Sequence, residues 1–123
     1  MRKYLLMFSF IVVTIIIMPH PDTFAQTASE KLSVIDKNQH SKEQFQTTLN
    51  ILKKHHPEYS EEEIAGLIAY AFGRLREEFP DISIHEVALG ILENSKILLG
   101  KANLKEIVAL YIASYATEKT YSY

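Results

Sequence analysis

The chain has 123 residues, 13 of them basic and 15 acidic, with a net charge of −2 and no cysteine. That length suits one domain with a modest core. The slightly negative balance gives no electrostatic footprint for nucleic acid and little attraction to anionic lipid. The missing cysteine excludes disulfide staples, thiolate catalysis and a lipid-modified cysteine.

Residues 1–25 read as a cleaved signal peptide. Arg2 and Lys3 give a positive start, and Leu5 to Met18 is apolar except for Ser9 and Thr14. Pro19 and Pro21 break any helix, and Thr23 and Ala25 place small residues before a cut ahead of Gln26. The apolar run is about fourteen residues, short of the roughly 20 that a membrane span needs. The expectation is export to the periplasm or medium, with no stable membrane span after cleavage. The remaining 98 residues carry 11 basic and 14 acidic side chains, a net charge of −3.

Residues 26–39 are polar, with Leu32, Val34 and Ile35 as apolar anchors, and read as a flexible lead-in carrying at most one helical turn. Four segments of one grammar follow. Ser41 precedes Gln44 by three residues, as Ser60 does Glu63, Ser83 does Glu86 and Asn103 does Glu106. A Ser or Asn at a helix start accepts a hydrogen bond from a free backbone N–H, and the Glu or Gln three residues on accepts one from the cap's own N–H. The phrases "PEYSEEEIAG" from Pro57 and "PDISIHEVAL" from Pro80 look alike because both are such starts. The breaks agree: His56-Pro57 ends the first helix, Phe79-Pro80 the second, and Gly100 offers a left-handed stop for the third.

Apolar periodicity assigns the buried faces. The first helix offers Phe45, Leu49 and Leu52. The second offers Ile64, Leu67, Ile68, Ala71, Phe72 and Leu75. The third offers Val87, Ala88, Ile91, Leu92, Leu98 and Leu99; the fourth, Leu104, Ile107, Val108, Tyr111, Ile112 and Tyr115. Short linkers favour antiparallel neighbours. The expected fold is therefore all-α, a compact antiparallel bundle of four helices in two hairpins over residues 40–118, with a polar aromatic tail at 119–123. Helix starts 19, 23 and 20 residues apart also suit a short solenoid, though two pairs fall below the roughly three repeats a solenoid needs.

Few groups point to chemistry. Glu61, Glu62 and Glu63 lie in a first helical turn, where the helix dipole favours negative charge. His55 and His56 are adjacent and diverge by about 100°, so one helix cannot offer both to one ion. His85 stands in another first turn with no evident nucleophile beside it. No G-x-S-x-G elbow or glycine-rich phosphate loop occurs. No catalytic residue, metal ligand or cofactor is assigned, and the protein reads as a non-enzyme.

Two features point to binding. Ala65, Ala69 and Gly73, with Gly66 beside them, and Ala109, Ala113 and Ala116 form small-residue stripes. Tyr70, Tyr111, Tyr115, Tyr121 and Tyr123 join large apolar area to a polar tip, a combination enriched at binding surfaces. The expected function is that of an inhibitor, immunity-type or assembly accessory protein that binds another protein, or a second copy of itself, through these tyrosines. The alternative is a carrier bundle for a small apolar ligand, or for a metal held where His55 or His56 meets His85 and a glutamate.

Overall fold

The computed structural model describes residues 26–121, so the expected signal peptide and Tyr123 lie outside the described residues. Among those described, five α-helices and no strand occur. They are α1 (Ala28–Ile35), α2 (Lys42–His55), α3 (Glu61–Arg76), α4 (Ile84–Ile97) and α5 (Leu104–Tyr121).

All four expected starts are helix starts. The reciprocal pair forms at Ser41/Gln44, Ser60/Glu63 and Asn103/Glu106. At Ser83 the hydroxyl accepts from the Glu86 N–H at 3.0 Å. His56 leaves helical geometry just ahead of Pro57. α3 ends at Arg76, three residues before Phe79, and a turn through Glu77 and Glu78 leads to Pro80. α4 ends at Ile97, and Gly100 takes the left-handed conformation with φ of +79°.

The lead-in differs from its expectation, because residues 28–35 form a two-turn docked helix. Thr27 and Glu30 make a fourth reciprocal capping pair at its start. Its end is a Schellman turn: Asn38 N–H donates to the Ser33 carbonyl at 2.9 Å and Lys37 N–H to that of Val34 at 3.0 Å. Lys37 holds the positive φ of 57° that such a turn demands, and Asn38 follows it at 59°. The buried stripe is Ala28, Ser29, Leu32 and Ser33, whereas Val34 and Ile35 are 53% and 41% exposed. Small inward residues let α1 lie close to its neighbours. The expected tail also differs, since α5 continues through Tyr121.

The core joins Phe45, Leu49 and Leu52 of α2 to Ile64, Ile68 and Ala71 of α3. Val87, Ala88 and Ile91 of α4 and Leu104 and Ile107 of α5 complete its centre. Each Val, Leu, Ile or Phe among them contributes about 1.5–3 kcal/mol by leaving water. Every helix packs on the next and the next but one: α1 on α2 and α3, α2 on α3 and α4, α3 on α4 and α5. This places α1, α3 and α5 in one layer and α2 and α4 in the other, with α4 against three helices. α4 and α5 run antiparallel, because Gly90 faces Tyr111 while Glu86, one turn earlier, borders the same pocket as Tyr115, one turn later. The helical packing is compact, as expected, and it gains α1 as a fifth element.

Candidate functional site

Tyr70, Tyr111 and Tyr115, the three of the five tyrosines whose side chains are described, do not share one surface. Tyr111 lies in the core at 6% exposure, its ring against Gly90 and 5.9 Å from that of Tyr115. Burial pushes its phenol well above the ordinary range, with Glu86 adding to the effect. It is therefore packing, not a presented binding residue, because α4 and α5 cross closely at the glycine. Tyr115 is half-buried, edge-on to Phe79 at 5.2 Å, with the Lys119 ammonium 5.4 Å from its ring centre. Tyr121 is the last residue of α5, and Tyr123 lies outside the described residues.

Tyr70 is 54% exposed on α3. It borders an open groove of about 370 Å³ between α3 and α5, formed with Leu67, Arg74, Lys105, Val108, Ala109 and Ile112. Val108 is buried and forms the floor, while Ala109 is exposed along the rim. The small-residue stripes contribute here in part: Ala65 is buried, but side chains added at Gly66 or Gly73 would meet open space. The only charged residues of the groove are Arg74 and Lys105, and neither is ion-paired among the described residues. Arg74 donates to the Tyr70 hydroxyl at 3.4 Å and so holds that ring at the rim.

The acidic run at the head of α3 is used internally. Glu61 accepts from the Gln46 amide at 3.1 Å, Glu62 pairs with Lys31 at 3.2 Å, and Glu63 accepts from the Ser60 N–H at 2.8 Å. That backbone bond, the Ser60 hydroxyl and, more weakly, Lys105 and Lys53 hold the Glu63 carboxyl below its ordinary value.

The histidines form two separate groups. His40 and His85 stack beside Asp36, at the amino-terminal ends of α2 and α4. At the far end of α2, His55 Nδ1 and His56 Nε2 each lie 2.9 Å from the Ser95 hydroxyl. A hydroxyl has one hydrogen and two lone pairs, so at least one of the two rings donates to Ser95. Ten residues of α4 separate His85 from Ser95, about 15 Å along a helix, so the histidines do not converge as a metal site would require. Among the described residues no group of three or more metal-binding side chains occurs. Ser95 is fully buried, and no electrophile reaches its oxygen in this conformation.

Ser95 escaped the sequence reading, though one signal was present. It continues the Ala88, Ile91, Leu92 stripe, so a hydroxyl falls on a buried helix face and needs a partner. Among the described residues, no helix is long and apolar enough to cross a membrane. Comparison of the chain with protein-family models, with characterised proteins and with solved structures yields no match, so the groove's own geometry bears the functional reading.

Proposed function

We propose that this is an exported, non-catalytic protein that takes a helix of a partner protein into the groove between α3 and α5. The observation that carries the reading is Tyr70, an exposed aromatic held by Arg74 at the edge of an apolar floor. An apolar groove between two helices suits the apolar face of a third helix, anchored at i, i+3, i+4 and i+7. The two unpaired cations favour acidic residues flanking those anchors. A symmetric dimer through this face would bring both cation pairs together, which disfavours a second copy as occupant. Because the groove lies open along its length, a partner that brings its own cover fits better than a small apolar cargo. Export rests on the amino-terminal sequence.

A photo-crosslinking amino acid placed at Tyr70, with Leu89 of α4 as the exposed control, tests the reading in the exported fraction. The expected result is a protein adduct from position 70 that is lost on combining Arg74→Glu with Lys105→Glu. Equal adducts from both positions, or none from position 70, would sink it. Two synthetic helices with one apolar stripe and either Glu or Lys flanks provide a second probe. Fluorescence anisotropy should show the acidic peptide binding more tightly and weakening as salt rises.

A further inference from the structure

Two imidazoles join the carboxyl end of α1 to the first turn of α4. The rings of His40 and His85 stack with centroids 3.7 Å apart and planes 11° from parallel. Phe45 of α2 meets both edge-on, 6.4 Å from His40 and 5.5 Å from His85. The buried carboxylate of Asp36, the C-cap of α1, holds His40 twice. Its Oδ2 accepts from the His40 backbone N–H at 2.7 Å and lies 2.9 Å from Nδ1. A carboxylate only accepts, so Nδ1 bears a hydrogen. Ser33 of α1 donates to the His40 carbonyl at 2.9 Å. Movement of His40 therefore carries the end of α1 with it.

We propose that the His40–His85 stack is an acid-sensitive latch, and that protonation of both rings parts them and frees α1 from the rest of the fold. The charged groups acting on His85 are His40 and Asp36, and Phe45 brings none from α2. The outer side of the α1–α2 junction carries the Glu30–Lys42 pair at 3.7 Å. His85 also stands at the positive end of the α4 dipole, which opposes a further positive charge. Burial first, and then His40, hold its pKa below the ordinary value, with Asp36 acting in the other direction. With His85 neutral, the stack has no conflict of like charge. Once both rings are protonated, two cations face each other at 3.7 Å and one carboxylate serves both. α1 is only 8 residues long and depends on docking, so it opens first. Opening exposes Leu32 and the apolar surface beneath it on α2 and α3.

Amide hydrogen exchange of the 123-residue chain at pH 7.5 and 5.0, corrected for the intrinsic rate, tests this directly. Acid should lower protection across residues 28–40 about tenfold more than across 104–116. His85→Phe keeps an aromatic ring in the stack without the proton, and should abolish that difference. In His40→Gln, the His85 resonances should titrate at higher pH than in the parent chain. An even loss over all five helices overturns the latch. So does a difference that persists in His85→Phe, or identical His85 titrations with and without His40. Should His85→Phe fail to fold, the parent and His40→Gln measurements decide.

Discussion

Gly90 and Tyr111 occupy one space from two helices. A methyl group at Gly90 would lie 2.7 Å from Tyr111 Cζ and 2.9 Å from its oxygen, inside any tolerable contact. Gly90→Ala should therefore destabilise by about 1–3 kcal/mol through overpacking. Gly66→Ala meets nothing within 4 Å and should instead stabilise by about 1 kcal/mol through helix propensity. Urea unfolding of the two variants compares them directly. Ser95→Ala strands both His55 and His56 and should cost about 1–3 kcal/mol. The pKa of His56 lies below its ordinary value of 6.5 because burial disfavours the imidazolium; Glu58 opposes this and His55 adds to it. The unfolded chain thus binds the proton more readily than the fold. Its contribution to stability is complete above pH 6.5 and is lost as pH falls through the lower, folded value. Urea midpoints should drop between pH 7 and 5, and His56→Gln should flatten that slope.

At the scale of elements, α1 shows where legibility ended. Its Thr27-x-x-Glu30 start follows the same grammar as the other four helices. Two features hid it. The inward stripe uses Ala28, Ser29 and Ser33, which no hydropathy pattern marks, and Lys37 fills the left-handed position where glycine would have signalled a helix end. Val34 and Ile35 suggested anchors but face outward. An eight-residue helix is unstable alone, so α1 persists through tertiary contact. Leu32→Ala should cost about 2–5 kcal/mol in urea unfolding, a cavity-type loss that a flexible lead-in would not show. Starts elsewhere depend on their caps, and Ser60→Ala should cost about 1 kcal/mol.

For the whole molecule, stacking each helix on the next two makes the end elements the least supported. α3 packs on all four other helices, whereas α1 packs chiefly on α2 and α3. Exchange protection at pH 7.5 should therefore be greatest in α3 and least in α1; equal protection in both would contradict this layering. The groove follows from the same arrangement, because α3 and α5 lie side by side in one layer and, among the described residues, no third helix covers their outer seam. Tyr70 was legible as a surface aromatic. Its neighbours Val108 and Ile112 were legible only as apolar, since one periodic face of α5 serves both the core and the groove floor.

By itself the sequence determined what depends on neighbours within about four residues: the caps, the proline breaks, the apolar stripes and hence an all-α protein. Such interactions close locally, and residue type and spacing suffice to state them. The tertiary structure alone decided which distant groups meet. His56 finds Ser95 across 39 residues, His40 finds His85, Gly90 admits Tyr111, and Tyr70 finds a floor on α5. Each of these meetings depends on how two helices cross and how closely they approach. Side-chain volume over the whole interface sets that geometry, and no short motif encodes it.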